Sequence, residues 1–243
     1  MLHASALPVT IGRSAPERKR APLGASFVAI PVRTALVRAG DDLAALVAAA
    51  VRGIAGPLDV VAVSETAVAI AQNRMIAAET IRPSRLAYVL SRRASALATV
   101  NQPESLQLVI DQAGAWKVVW AAFAHAIGHL FGKPGIFYRI LGESIAAIDG
   151  YTGTLPPFER TIVLGPQDPD RVAAEIAARA GARTAIVDAN DLGSVKVLGA
   201  SAGVPRERVA TALRRNPHGN GDEQTPIVVL AWRAGAGSPL VLA

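Results

Sequence analysis

Short apolar runs alternate with polar, glycine-rich or proline-rich turns along most of the chain, and their spacing predicts both strands and helices. Strands are predicted at short apolar runs bounded by turn residues, at 27–32, 58–63, 117–120, 145–148, 161–164, 183–188 and 227–231. Helices are predicted where a capping residue or an early proline precedes apolar positions at helical spacing, at 43–52, 83–93, 103–112, 169–180 and 206–214. For residues 65–74, periodicity does not decide between a helix and a continuation of the preceding strand.

Strands and helices mix without a regular strand–helix–strand rhythm, which favours an α+β fold over a doubly wound parallel sheet. An aspartate is predicted to cap two of the helices: Asp41 or Asp42 before the first, and Asp168 before the fourth. Residues 1–26 combine three prolines with a charge cluster and lack apolar periodicity, so they are predicted to form a flexible basic extension. Residues 27–243 are predicted to form one domain.

Two predicted strands end in an aspartate followed by a glycine-containing turn, at Asp149 and at Asp188. A carboxylate at the end of a buried strand is held rigidly and is still open to a cleft. Two such carboxylates can hold one divalent cation, because Mg²⁺ prefers oxygen ligands and retains waters and substrate phosphates. Asn190 and Asp191 add oxygen donors close to Asp188. The alternative is that each aspartate only stabilises its own turn.

Three basic side chains suggest other sites less strongly. His125 and His129 have the spacing of metal ligands on a helix, but the glutamate of the H-E-x-x-H zinc motif is missing, which favours packed histidines. Lys133 lies in a glycine/proline turn that matches no phosphate-binding loop. The chain contains no G-x-G-x-x-G motif and no cysteine.

Charge and hydropathy restrict the possible partners. Residues 1–26 carry four basic residues and one acidic residue, which is half of the chain's net charge of +6. The remaining arginines are scattered, which favours a solvated surface over a nucleic-acid interface. The most apolar stretch, residues 118–131, is shorter than the roughly 18 residues of a membrane span, and the N-terminus lacks the pattern of a signal peptide. These features predict a cytoplasmic protein without a membrane span.

Short motifs along residues 27–233 occur in an order that matches one known family. They are IPVR at 30–33, AGDDL at 39–43, DVVAV at 59–63, AQNR at 71–74, AID at 147–149, VLGPQDPD at 163–170, IVD at 186–188 and PIVVL at 226–230. In this order the segments resemble the coenzyme F420-0:L-glutamate ligases, or gamma-glutamyl ligases.

The resemblance implies an α+β fold with a mixed sheet, packed helices and an intertwined homodimer. It also implies GTP-dependent formation of an amide between a small-molecule carboxylate and an amino acid such as glutamate, through an acyl phosphate, with Mg²⁺ or Mn²⁺. Asp149 and Asp188 match the family's metal-binding aspartates by position, and Asn190 and Asp191 are carried as further metal ligands. The resemblance suggests that Asp41 and Asp42 are nucleotide-side residues or turn residues.

Two segments depart from the family's pattern. Where the family has S-K-A-E-G-R, residues 69–74 read AIAQNR, so Ile70 replaces a lysine and Gln72 replaces a glutamate. The family's G-R-P-x-R run after Asp188 is also replaced. The leading hypothesis is therefore a divergent metal- and nucleotide-dependent ligase. The alternatives are a non-catalytic relative that binds a small anion or a partner protein, and a basic tail that binds nucleic acid or an acidic membrane surface.

Overall fold

The chain forms two compact units in a computed structural model that describes residues 27–94, 99–133, 135–142, 145, 148, 150, 158, 160–190, 193–219 and 224–232. The sheet unit is built from residues up to Gln72 and from Gln167 onward, and the helical unit from Asn73–Pro166. The N-terminal extension predicted for residues 1–26 lies outside the described residues. The grouping of residues 27–243 as one domain stays a prediction.

Strands and helices follow each other irregularly along both units. In chain order the described strands are β1 (Phe27–Val32), β2 (Val60–Ser64), β3 (Met75–Ala77), β4 (Thr161–Val163), β5 (Arg183–Ala189), β6 (Val195–Ala200) and β7 (Ile227–Trp232). The described α-helices are α1 (Leu43–Ala50), α2 (Glu65–Ala71), α3 (Arg85–Ser91), α4 (Pro103–Ala113), α5 (Ala115–Leu130), α6 (Ile136–Leu141), α7 (Pro169–Ala180) and α8 (Arg206–Leu213). None of these helices combines the length and the apolarity that crossing a bilayer requires.

The sheet unit contains a five-stranded mixed sheet in the order β1-β7-β2-β5-β6. Only β2 and β5 pair in parallel, and the other neighbours are antiparallel. The central strands are apolar on both faces because both are covered: Val60 and Ala62 pack with Val209 of α8, while their neighbours along β2 point to the opposite face. This arrangement confirms the predicted α+β class and mixed sheet.

The helical unit packs α3 to α6 around its own apolar core, beside a two-stranded antiparallel sheet of β3 and β4. Leu106 and Val109 of α4, Val118 of α5, Phe137 of α6 and Ile162 of β4 belong to that core. Their periodic spacing along each helix buries one face, so packing rather than intrinsic helix propensity stabilises these helices.

Two predicted strands are wrong. Residues 117–120 belong to α5, whose inward positions Val118 and Ala121 follow a helical period. Ile145 has a helical backbone, and the Ile148 N–H donates to the Ile145 carbonyl at 3.2 Å, so the described residues of 145–148 do not form a strand. Both segments are short apolar runs, for which periodicity does not separate a strand from a buried helix. Strand β6 was not predicted from the sequence.

The segment that the pattern left open, residues 65–74, is helix α2 followed by a left-handed residue. Asn73 has a φ of 56° at the place where the family carries glycine. Asparagine is among the non-glycine residues that tolerate this conformation best. The departure from glycine therefore preserves the local backbone geometry.

The two capping predictions have different outcomes. Asp42 caps α1, because its Oδ1 accepts the Ala45 N–H at 3.1 Å. Asp168 precedes Pro169 at the start of α7 as predicted, but it has a φ of 45° and makes no side-chain capping bond. Its carboxylate lies 4.0 Å from the Arg171 guanidinium instead.

Candidate functional site

A cleft of about 510 Å³ opens on the sheet unit between the start of α1, the end of α2 and one face of α7. Its volume lies within the range of small-molecule sites in proteins. The described residues that line it are Asp41, Asp42, Leu43, Ala44, Val68, Ala71, Gln72, Arg171, Val172, Glu175, Ile176, Ala178 and Arg179. The cleft therefore contains Asp41 and Asp42, the two aspartates that the family resemblance suggested as nucleotide-side or turn residues.

Both carboxylate oxygens of Asp42 are bonded to other residues of the sheet unit. Besides capping α1, its Oδ2 pairs with the Arg179 guanidinium at 2.5 Å. The Ala45 N–H and, after it, the Arg179 guanidinium hold the pKa of Asp42 below its usual range. Asp42 thus joins the beginning of α1 to the last turn of α7, and both of its oxygens have partners.

Asp41 has one oxygen available. Its Oδ2 accepts the Arg38 N–H at 2.7 Å, which closes the turn before α1. Within the part of the chain that the structure describes, no donor bonds to its Oδ1. The turn positions the carboxylate at the cleft and leaves this Oδ1 free to accept a hydrogen bond from a ligand.

The wall formed by α7 is charged. Arg171, Glu175 and Arg179 follow each other at intervals of four residues, so they lie along one face of the helix. Arg171 pairs with Glu175 at 2.5 Å, and Arg179 pairs with Asp42. Both guanidinium groups are exposed and can exchange a carboxylate for another anion, because surface ion pairs contribute little stability.

Gln72 joins the end of α2, which lines the cleft, to the segment that precedes α7. Its Nε2 donates to the Gln167 carbonyl at 2.9 Å, and its Oε1 accepts the Gln167 N–H at 2.8 Å. An amide makes both bonds, whereas an ionised carboxylate can only accept. The replacement of the family's glutamate at this position therefore has a structural explanation.

Replacing Gln72 with glutamate is expected to destabilise the protein by about 1–2 kcal/mol at pH 7, because a carboxylate oxygen would face the Gln167 carbonyl. The loss should shrink near pH 4, where a protonated carboxyl can donate again. Urea unfolding at both pH values measures it. Gln112→Glu, at an exposed position near the end of α4, is the control. Equal effects of the two substitutions would contradict the role assigned to Gln72.

Ile70 supplies no charge to this cleft. It is buried in the last turn of α2 and does not line the cleft. The position at which the family carries lysine is therefore occupied here by a core residue.

Asp188 lies in β5, where its cross-strand partner is Lys196 of β6. Burial raises the pKa of Asp188, and Lys196 offsets part of this rise. None of the described residues donates a hydrogen bond to its carboxylate, and it does not line the cleft. A half-buried carboxylate whose lost hydration is not replaced by hydrogen bonds is suited to bind a cation.

Asn190 closes the hairpin between β5 and β6. Its Oδ1 accepts the Ser194 N–H at 3.0 Å, and its backbone N–H donates to the Ser194 carbonyl at 3.1 Å. Gly193 completes the turn with a φ of 79°. Asn190 therefore has a structural role, while Asp191 lies outside the described residues.

The other metal candidates do not form a cluster within the described part of the chain. Asp149 itself is outside it, and the neighbouring Ile148 and Gly150 are buried. The His125 and His129 rings are 6.3 Å apart, between centroids, on α5. Across the described residues, no group of three or more histidine, cysteine, aspartate or glutamate side chains is arranged to hold a metal ion.

Sequence reasoning missed the residues that complete the cleft. Arg171, Glu175 and Arg179 have a four-residue spacing that was visible in the sequence and indicates a charged helix face. Nothing in the local pattern indicated that this face meets the turn containing Asp41. The role of Gln72 was equally hidden, because its partner lies 95 residues away along the chain.

Comparison with known proteins identifies the family to which the chain belongs. The family model described as F420-0:gamma-glutamyl ligase matches residues 31–188, which is well over half of the chain and ends at Asp188. The comparison with curated proteins found no match. The matched region includes Asp41 and Asp42 in the cleft and Asp188 in β5. The chain therefore belongs to the F420-0:gamma-glutamyl ligase family.

Proposed function

We propose that this protein is a divergent GTP-dependent ligase that joins a small-molecule carboxylate to glutamate or a similar amino acid. Membership of the family indicates a gamma-glutamyl ligase type of function on small molecules. The observation that carries the proposal is the position of Asp41 and Asp42, which lie in the family's G-D-D-L turn and line the 510 Å³ cleft. A homodimer and a cytoplasmic location belong to the same proposal.

The cleft is proposed to bind the nucleotide. The available Oδ1 of Asp41 accepts an N–H or O–H group of the base or ribose. Arg171 and Arg179 exchange Glu175 and Asp42 for phosphate oxygens, which a guanidinium group binds in a bidentate manner. Asp42 keeps its bond to the Ala45 N–H when Arg179 moves, so the α1 cap is retained.

Asp188 is proposed as a ligand of Mg²⁺ or Mn²⁺. Its half-buried carboxylate, to which none of the described residues donates a hydrogen bond, supports this role, and Asn190 and Asp191 follow it in the chain. The companion roles of Asp149, Asn190 and Asp191 stay predictions made from the sequence. When bound, a divalent cation offsets negative charge on the transferring phosphoryl group.

The proposed reaction has two balanced steps. A carboxylate oxygen of the acceptor attacks the γ-phosphorus of GTP, the bond to the bridging oxygen breaks, and GDP leaves. The amine of the amino acid then attacks the acyl carbon, the bond to the phosphate oxygen breaks, and inorganic phosphate leaves while the nitrogen loses a proton. In this scheme Asp41, Arg171 and Arg179 orient the nucleotide.

The second candidate function is a non-catalytic relative that binds a small anion or a partner protein. Ile70, a core residue in the lysine's place, and the carboxylate partners of both cleft arginines favour it. It predicts that anions stabilise the protein without nucleotide turnover, and Asp188-dependent turnover would exclude it.

A thermal-shift matrix of GTP, ATP and GDP with Mg²⁺, Mn²⁺ or EDTA tests the ligase proposal. GTP with metal at about 100 times its Kd should stabilise the protein by about 2.7 kcal/mol, and Asp41→Asn should remove most of this effect. The asparagine retains an oxygen for the Arg38 N–H. Glu207→Gln, at an exposed position in the first turn of α8, is the charge-matched control. A flat matrix, or equal shifts in both variants, would contradict the proposal.

A further inference from the structure

Helix α5 is apolar around most of its circumference, although only one face contacts the helical unit. Val118, Ala121 and Gly128 are buried against the core. The opposite face exposes Trp116, Val119, Trp120, Phe123, Ile127 and Leu130, and Phe131 follows directly. A helix that is hydrophobic on all sides is normally covered on all sides, so this exposed face indicates a missing partner.

The exposed face has the spacing of a helix-pairing seam. Trp116, Phe123 and Leu130 recur every seven residues, with Val119 and Trp120, and then Ala126 and Ile127, between them. This is the a/d/e pattern by which one helix packs along another. The outer face of α5 is therefore suited to pair with a second helix.

The area of the seam matches a protein interface. Trp116 and Leu130 are 82% exposed, Phe131 75%, Phe123 56% and Trp120 55%. At roughly 150–250 Å² for a large side chain, the set exposes on the order of 800 Å² of apolar surface. The largest patch on a typical monomer is about 300–600 Å², whereas a standard interface buries about 800 Å² on each partner.

We propose that α5 is a self-association surface, on which a second copy of the chain packs antiparallel with Phe123 at the two-fold axis. This names the surface of the homodimer proposed above, but it is argued from α5 alone. A two-fold axis at residue 123 sets Trp116 against Leu130 of the other copy and Val119 against Ile127. It also sets the large Trp120 against the small Ala126, so the seam is complementary to itself.

Charge also favours a second copy. Residues 115–131 contain no acidic side chain, and the only lysine, Lys117, lies at the first turn. A central surface without charges, rich in tryptophan and phenylalanine and with basic groups only towards its ends, has the composition of an interface core. A peripheral membrane helix normally carries many lysine and arginine residues on its polar face, whereas the inner face of α5 is packed into the protein core.

The mass of the full-length protein in solution, with and without Phe123→Glu, tests the proposal. The wild type should be a dimer at micromolar concentration, and Phe123→Glu should be a monomer, because two carboxylates would meet at the axis. An unchanged far-UV circular dichroism spectrum and unchanged nucleotide shifts in the variant would show that folding and the cleft are intact, while its thermal transition should fall because the stabilisation by association is lost. Glu207→Gln should remain dimeric.

A second pair of variants tests the register. Ala126→Trp should break the dimer, because the new tryptophan would meet Trp120 of the second copy. Adding Trp120→Ala should restore the dimer, because each new tryptophan then meets an alanine. Because the chain has no cysteine, Phe123→Cys should form a disulfide-linked dimer when oxidised with copper phenanthroline, while Trp116→Cys should not.

Three outcomes would overturn the proposal. The first is a wild type that stays monomeric up to about 100 μM. The second is a dimer that persists in Phe123→Glu. The third is a monomeric wild type that binds anionic vesicles through α5. The last would assign the surface to a membrane. Nucleotide binding is measured separately, so the ligase proposal can fail while the dimer stands, and the reverse.

Discussion

Asp188→Asn is expected to weaken Mn²⁺ binding by at least about 100-fold and to abolish the metal-dependent part of nucleotide stabilisation. Removing a residue that only hydrogen-bonds to a metal ligand lowers metal affinity about 10–100-fold. Removing the charge of a ligand itself should lower the affinity at least as much. Asparagine has a similar shape but carries no charge. Isothermal titration calorimetry, with Mn²⁺ titrated into the metal-free protein, measures the affinity.

The same substitution should not destabilise the protein at pH 7. Burial raises the pKa of Asp188 above 3.8, so the folded state binds this proton more tightly than the unfolded state does. The stability of the wild type in EDTA should therefore fall as pH rises from about 4 through the raised pKa, relative to Asp188→Asn. The difference in free energy of unfolding between the wild type and Asp188→Asn therefore grows over this pH range and remains at neutral pH.

Urea unfolding of both proteins from pH 4 to pH 7 in EDTA measures this gap, with Glu207→Gln as the charge-matched control. A gap that does not change with pH would contradict the burial of a charged Asp188. Unchanged Mn²⁺ affinity in Asp188→Asn would remove Asp188 from the metal site. A residue that costs stability and is needed for binding would be an example of function opposing stability.

Gly199→Ala is expected to destabilise the protein by about 3 kcal/mol or more. An added Cβ would overlap the Pro169 carbonyl group and lie 2.5 Å from the Asp170 backbone nitrogen. Backbone atoms cannot rotate away as a flexible side chain can, so α7 or β6 must move. The pairing of Asp170 with the Ala200 N–H and with Arg206 would be strained as well.

Urea unfolding at pH 7 measures this loss, and Gly56→Ala is the matched control. A Cβ at Gly56 would meet only the Asp59 carboxylate, at an ordinary 3.6 Å. The control should change the free energy of unfolding by less than about 1 kcal/mol. A loss below about 1 kcal/mol in Gly199→Ala would show that α7 can shift away from β6 at little cost.

Local patterns were sufficient for most elements. Strand β5 and helix α7 were predicted almost to the residue, because an alternating or periodic run lies between clear turn and cap signals. The turn before α1 was predicted for the same reason, with Asp41 or Asp42 as the cap, and the structure shows that Asp42 is the cap. The strand prediction for residues 117–120 was wrong because a short apolar run shows no periodicity of its own. The helical period of α5 is visible only over the longer segment that contains these residues.

The sequence by itself determined the α+β class, most element positions and the family, since these depend on neighbouring residues and on ordered motifs. Only the tertiary structure decided which distant segments meet. The parallel pairing of β2 with β5, the contact of Asp42 with Arg179 and the bonds of Gln72 to Gln167 join residues roughly 95 to 140 apart. The register shift between β5 and β6 leaves Leu198 without a cross-strand partner, and the next residue, Gly199, lies against the start of α7. Such contacts depend on register and packing across the fold, and no local pattern records them.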